Sequence, residues 1–287
     1  IAFHQLSENG ADIRMGWRLE SIDQRPEEVV AELSCGGEKQ YICARYIFGA
    51  DGARSIVRDY VDDAFDGHTY PETTILATTP FPFETHLPGL SNVNYIWWER
   101  GTFSLLRLRD IWRCSLYPDE DETIEQAMAP NSIQQKLNRI ISQEQDYKVG
   151  EVRPYRVHMR LAQNFRKDRL LLAGDAAHLN SPSGGMGMNG GIHDAFALTA
   201  ALKKTFDTSS DEPLDRYASV RREIVGAEIL SQADRNRGRM QEKNPAARRK
   251  VFEDLKRKAE TPALAHAHLM KTSMIEGLRR SEAMLDA

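Results

Sequence analysis

Two stretches of this 287-residue sequence carry residue types and spacings suited to gripping a large ligand rich in hydroxyl groups. The first is Arg169–Gly191, which reads RLLLAGDAAHLNSPSGGMGMNGG. Its three leucines, Leu170, Leu171 and Leu172, form a short apolar run that suits a strand buried on both faces. Asp175 follows three residues after Leu172. A carboxylate just past such a strand lies where α/β sheets bind ligands, and it can accept hydrogen bonds from a sugar hydroxyl. The glycines that follow let backbone N–H groups approach a ligand closely, and a helix opening there adds partial positive charge. Gly185–Gly190 also spells G-x-G-x-x-G. A dinucleotide fingerprint, however, follows its strand at once and leads to a second parallel strand ending in an acid. Here Glu212–Val225 reads as helix, so the match is accidental.

The second stretch is Phe48-Gly49-Ala50-Asp51-Gly52-Ala53-Arg54-Ser55-Ile56-Val57-Arg58. Taken alone it is a strand-to-turn junction in which Asp51 can make an Asx-type hydrogen bond, with both arginines on the surface.

The elements that must position these stretches follow from periodicity. Ile1–Ala11 reads as a helix end stopped at Asn9-Gly10. Asp12–Asp23, Glu28–Ser34 and Gln40–Ala50 read as three strands, with a turn at Cys35–Glu38 and a short helix over Arg54–Val61. Pro71, Pro80, Pro82, Pro88 and Gly89 break up Gly67–Leu90. Asn92–Trp98, Thr102–Leu108 and Ile111–Tyr117 are strands joined by hairpin-length links at Glu99-Arg100-Gly101 and Arg109-Asp110. Glu122–Ile141 reads as a helix and Val149–Met159 as a strand. Gly174–Gly190 reads as a long loop before a helix over Gly191–Phe206, and Glu212–Ala287 as helical throughout. The expected fold class is α/β: a three-layer α/β domain, here incomplete because its first βαβ unit is missing, with an inserted antiparallel sheet and C-terminal helices. The expected division is 1–66 with 158–210 for the α/β domain, 67–157 for the sheet and 211–287 for the helices.

Composition narrows the class. The chain is 41% hydrophobic and 28% charged, with a net charge of -4. That balance gives no basic footprint for nucleic acid. No apolar run reaches the roughly 18–20 residues of a membrane span, and no signal peptide is visible. Cys35, Cys43 and Cys114 have no C-x-x-C spacing, which argues against a disulfide framework or zinc site and for reduced thiols in a cytoplasmic protein. His68, His86 and His158 lack metal-ligand spacing, so no metal is expected. The chain opens at Ile1, inside a helix pattern, and reads as a piece of a longer polypeptide.

Both stretches, in this order and with a sheet between them, resemble the flavoprotein aromatic hydroxylases of the para-hydroxybenzoate hydroxylase-like class. Gly49–Arg58 resembles that family's DG motif, and Arg169–Gly191 its GD motif, continuing through Gly191-Ile192-His193-Asp194-Ala195-Phe196-Ala197-Leu198. The resemblance covers about Ile1–Phe206. It implies FAD as cofactor, with Asp175 contacting the ribitol or ribose–pyrophosphate region. Pro182, Gly184, Gly185 and Gly187 would lie beside the isoalloxazine, and Met188 and Asn189 at its pyrimidine edge. Asp51, Gly52 and Arg54 would serve FAD and NAD(P)H binding. His178 belongs to the cofactor loop, and His193 and Asp194 receive no chemical role. Two departures stand out. Ser181-Pro182 replaces the usual Pro-Pro, and the family's N-terminal strand with its glycine turn and ribose-binding acid is absent, so the chain alone is expected to be inactive.

The implied reaction is a monooxygenation: NAD(P)H reduces FAD, O2 gives a flavin C4a-hydroperoxide, and one oxygen is placed on a phenol-like aromatic substrate. No catalytic side chain is assigned. Substrate contacts are expected from Tyr95 and Trp97, which share one strand face opposite Ile96 and Trp98, and from Arg107. Which face meets the flavin is open, and a homodimer is allowed for. The alternatives are a flavin reductase or halogenase of the same fold, or a non-catalytic fragment serving as an interaction domain.

Overall fold

The computed structural model describes residues 2–62, 64–98 and 101–286. In chain order, helix α1 (Ala2–Glu8) leads into strands β1 (Arg18–Gln24), β2 (Val29–Cys35), β3 (Glu38–Ala44) and β4 (Ile47–Gly49), then helix α2 (Ile56–Val61). Strand β5 (Phe65–Thr79) and a helical turn α3 (Phe83–His86) precede β6 (Val93–Trp98), β7 (Gly101–Arg107) and β8 (Trp112–Leu116). Helices α4 (Ile124–Ala127) and α5 (Pro130–Ile140) and strand β9 (Val152–Ala162) follow, with β10 (Arg166–Lys167), β11 (Leu170–Leu172) and β12 (His178–Leu179) after them. The chain ends in helices α6 (Met186–Thr208), α7 (Glu212–Ile224), α8 (Ser231–Gln241), α9 (Pro245–Glu260), α10 (Pro262–Thr272) and α11 (Ile275–Asp286). A π-helical turn, Val225–Leu230, links α7 to α8.

Three sheets result. One is the antiparallel β1-β2-β3 meander, and one has the order β10-β11-β4. In the latter, β11 and β4 run parallel, with Leu171 beside Phe48 and Leu172 beside Gly49. All three leucines of β11 are buried, as the unbroken apolar run requires. The third sheet has the order β12-β9-β5-β8-β7-β6 and is antiparallel in every pairing described. One of its faces packs on α3–α5 through Ile75, Phe83, Phe103, Leu105, Trp112 and Leu137.

Several expected elements come out differently. The strand expected over Gln40–Ala50 is two strands: β3 stays on the meander, and the chain then bends at Arg45-Tyr46 so that β4 joins β11. The strand expected from Asp12 starts only at Arg18, after a turn holding Gly16 at φ 83°. The proline-rich stretch from Gly67 is largely strand, because Pro71 falls at a bulge between Thr69 and Thr73 where ladder pairing is already interrupted. The helix expected over Glu122–Ile141 divides at Pro130, which takes the first position of α5. The hairpin link at Glu99 and Arg100, the side chain of Trp98, and Ile1 and Ala287 lie outside the described residues.

Gly67 is the tightest point of β5. Its φ is 141°, and a Cβ there would lie 1.9 Å from the Met159 carbonyl oxygen on β9. Gly67→Ala should therefore destabilise the fold by about 2 kcal/mol, read as a lower urea midpoint at unchanged slope. Among the described residues no helix is long and apolar enough to cross a membrane.

Candidate active site

Both motif stretches leave adjacent parallel strands at their C-terminal ends, β4 leading to Asp51 and β11 to Asp175. This is the crevice where an open α/β sheet receives ligands. The Ala173 N–H donates to the Gly49 carbonyl at 2.9 Å, so the two exits are fixed against each other. Arg58 ties them further. Buried on α2, it donates from Nη1 to the Ala176 carbonyl at 3.0 Å and from Nη2 to the Ala53 carbonyl at 3.0 Å. Its guanidinium lies 3.9 Å from the Phe65 ring centroid. Under the surface reading of this stretch Arg58 would be solvated; it is instead the clamp between the motifs. The sequence signal was its place one turn into a helix whose neighbours Val57 and Val61 are core.

Asp51 is engaged locally. Its carboxylate accepts from Ser55 Oγ at 2.5 Å and from the Ile56 N–H at 2.8 Å, which stabilises the start of α2. Gly52 and Arg54 follow in the exposed turn. Asp175 is exposed within a tight turn, Gly174–Ala176. The residues flanking it are held from below. Asp194 of α6, wholly buried, accepts the Gly174 N–H at 2.9 Å and His178 Nε2–H at 2.7 Å on one oxygen. Its other oxygen accepts from Arg221 Nε of α7 at 2.8 Å. Burial alone would raise the Asp194 pKa, but the His178 hydrogen bond, the Arg221 charge and the Gly174 N–H outweigh it and hold the carboxyl below its usual range. Tyr217 Oη, also buried, donates to the Leu172 carbonyl at 2.7 Å. Sequence reading gave Asp194 no role, and Tyr217 and Arg221 were not singled out. The i, i+4 spacing of Tyr217 and Arg221 on one helix face was the available signal.

The long loop ends sooner than expected: α6 begins at Met186, so Gly187, Met188 and Asn189 lie in its first turn. Gly184 at φ 101° and Gly185 at φ 66° make the left-handed turn into the helix. Gly185 is the N-cap and offers no side-chain cap, so the first N–H groups of α6 remain available to a ligand. Met188 and Asn189 are exposed, and a Cβ on Gly185 would meet no atom within 4 Å.

The second face of the large sheet settles where Tyr95 points. Cross-strand register sets Tyr95 beside Ser104, Ser104 beside Ser115, and Ser115 beside Leu76. This row forms one wall of a cavity of about 610 Å³, and Ser181–Gly185 forms another part of its lining. The Gly184 N–H points to Tyr95 Oη at 3.4 Å. Ile96, on the other face, packs into the core with Phe103. Tyr155 and Arg113 also line the cavity. Burial and the Asp175 charge raise the Tyr155 pKa and the Arg113 charge opposes them, so that phenol lies within electrostatic reach of both residues. Trp97 shares the Tyr95 face but does not line the cavity, and its buried indole N–H has no hydrogen-bond partner among the described residues. Arg107 is elsewhere, paired with Glu84 at 3.1 Å. A second cavity, about 680 Å³, lies beyond the partition of Glu72, Tyr117 and Gln241. Its buried cation, Lys136, is already paired with Glu122 at 2.5 Å and Asp119 at 3.3 Å.

Comparison with known proteins agrees with this geometry. Residues 2–233 match the family described as FAD binding domain. The chain is 31% identical over 294 residues to para-nitrophenol 4-monooxygenase of Pseudomonas sp. strain WBC-3, an alignment covering all of this chain and 72% of that protein. It is 32% identical over 222 residues to a 3-(3-hydroxy-phenyl)propionate/3-hydroxycinnamic acid hydroxylase of Mycolicibacterium smegmatis, covering 76% of this chain but only 38% of that one. The crystal structure of p-nitrophenol 4-monooxygenase from Pseudomonas putida DLL-E4 superposes with a TM-score of 0.76 at 28% identity, over 99% of this chain and 68% of that chain. The chain belongs to the FAD-binding-domain family of flavin-dependent aromatic hydroxylases, the para-hydroxybenzoate hydroxylase-like class.

Proposed function

We propose that the protein hydroxylates a phenol-like aromatic compound, using FAD, NAD(P)H and O2. The observation that carries this reading is the cavity itself: one part of its lining is the Tyr95–Ser104–Ser115–Leu76 row and another is the Ser181–Gly185 turn of the flavin motif. A ligand between them would touch both the sheet and the loop that the family places beside its cofactor.

The residues present fit FAD. Asp175 is exposed at the end of β11, where a ribose or ribitol hydroxyl can donate to it. The uncapped N-terminus of α6, with Met188 and Asn189 in its first turn, would offer N–H groups to an electron-rich edge of the bound ring. When bound, FAD supplies the redox chemistry that splits O2, one oxygen atom going to the substrate ring and the other to water, with NAD(P)H oxidised. The chain's own residues bind, orient and shield. Arg58 and Asp194 fix the two ends of the cofactor crevice. Pro182 and the Gly184–Tyr95 contact form part of the cavity wall. Asp51, Gly52 and Arg54, at the neighbouring strand exit, are assigned to FAD and NAD(P)H contacts.

The test is NAD(P)H oxidation by the FAD-loaded holoenzyme across a panel of phenols, phenolic acids and quinols. At least one should accelerate oxidation and be recovered with an added hydroxyl group. If none does either, the reading falls.

A further inference from the structure

One peptide group of the flavin-motif turn is held from both sides by other elements. The Ser183 carbonyl accepts from Asn236 Nδ2 of α8 at 3.2 Å. The N–H of the same peptide, on Gly184, points to Tyr95 Oη of β6 at 3.4 Å. Ser183, Gly184 and Tyr95 line the cavity, whereas Asn236 does not. The Asn236 amide can face the turn only one way round. Its Oδ1 accepts from Gln232 Nε2 at 2.9 Å and from Arg239, whose guanidinium can only donate, so Nδ2 is left for Ser183. A Cβ on Gly184 would lie 2.4 Å from that Nδ2, so the amide sits directly on the turn. Helix α8 is in turn fixed to the sheet. Tyr70 Oη of β5 donates to Asp234 at 2.5 Å, and Arg237 stacks over the Tyr70 ring at 3.7 Å while pairing with Glu72.

The gripped peptide is the one part of this turn that is free to turn over. The Gly185 N–H donates to the Pro182 carbonyl at 3.0 Å, which closes a β-turn whose central peptide is Ser183–Gly184. Gly184, at φ 101°, has the positive angle that the third residue of a type II turn requires. Rotating the central peptide converts such a turn to type I, and glycine allows both. We infer that Asn236 is a positioning residue for the reaction: with Tyr95 it holds this turn in the type II state, carbonyl toward α8 and N–H toward the cavity. This rests on the hydroxylase reading above and adds a residue to it. An N–H on the cavity side favours an electron-rich ring or cofactor edge, and a carbonyl oxygen in its place would repel one.

The experiment compares wild type with Asn236→Asp, Tyr95→Phe and the double variant. Asn236→Asp keeps the acceptor for Gln232 and Arg239 but sets an oxygen against the Ser183 carbonyl. Tyr95→Phe removes the acceptor on the other side. Three quantities are read: FAD affinity by fluorescence titration, melting temperature without cofactor, and hydroxylated product per NAD(P)H oxidised. The last uses each phenol of the panel above that the wild type hydroxylates; electrons and O2 that miss the ring leave as hydrogen peroxide. Each single variant should weaken FAD binding and lower the product yield roughly 3- to 10-fold. The double variant should lose no more than about 2-fold beyond the worse single one, because either change frees the same peptide. Asn236→Asp should melt with the wild type. Losses that multiply in the double variant, or unchanged FAD affinity in Asn236→Asp, would overturn the inference. So would a lowered melting temperature with unchanged product yield, which would make Asn236 structural only. If FAD binds but the wild type hydroxylates no phenol of the panel, the hydroxylase reading falls, and the FAD titrations still decide whether the two residues act on one peptide.

Discussion

Asp194→Ala should cost about 3–5 kcal/mol of folding stability, the largest loss expected from any single substitution near the site. The carboxylate is wholly buried and holds three donors: the Gly174 N–H, His178 Nε2 and Arg221 Nε. Its removal leaves a fully buried guanidinium whose only other hydrogen bond among the described residues is to Ser281 Oγ, at 3.3 Å. It also frees Gly174, in the left-handed region at φ 60°, from the contact that fixes it. Asp194→Asn keeps the shape but strands the same charge, and should lose somewhat less. Ser281→Ala should lose at most about 1 kcal/mol. Urea unfolding checks all three. The pH dependence has a definite sign. Because the Asp194 pKa is depressed in the folded protein, its contribution is complete above the unfolded carboxyl pKa and is lost as pH falls below about 3.8 toward the folded value. Asp194→Asn should therefore lack that part of the acid-induced loss.

Asp175→Ala should weaken FAD binding by roughly 10- to 100-fold with little change in the stability of the protein without cofactor. The contrast with Asp194 is the point. Asp194 is buried and structural, whereas Asp175, nineteen positions earlier in the same motif, is exposed and held outward by the turn that Asp194 anchors. A carboxylate accepting a hydroxyl of the cofactor contributes only when the cofactor is there. Fluorescence titration of FAD against the wild type and Asp175→Ala checks this. Equal affinity would mean that the acid makes no contact with the cofactor.

The two stretches that carried the family resemblance were legible because their chemistry is local. Leu170–Leu172 suits a buried strand, and Asp175 lies just past it. What joins them was not legible, since Arg58, Asp194, Tyr217 and Arg221 are polar residues on helices, and polar residues on helices are ordinarily solvated. Their burial depends on partners far away in sequence, as with Arg58 and the Ala176 carbonyl. The start of α6 was misjudged because glycine is a poor helix former. The glycines there serve packing instead. A Cβ on Gly190 would come 2.9 Å from Ile229 Cδ1, and one on Gly191 3.2 Å from the Gly174 Cα. Likewise Tyr41–Phe48 offers no glycine or proline to mark where β3 ends and β4 begins, and the break is set by the partner each half finds. The direction of Tyr95 could not be read either, because alternation separates two faces without saying which is covered.

The central claim, that one oxygen atom from O2 is placed on a phenolic ring within the cavity between Tyr95 and Ser181–Gly185, is tested most directly by isotope. The FAD-loaded holoenzyme, NAD(P)H and a phenol that stimulates its oxidation are incubated under ¹⁸O2, and the product is weighed by mass spectrometry. Incorporation of one ¹⁸O atom per product molecule is the expected result. Hydroxylated product carrying oxygen from water, or NAD(P)H oxidation with an unmodified ring, would contradict it.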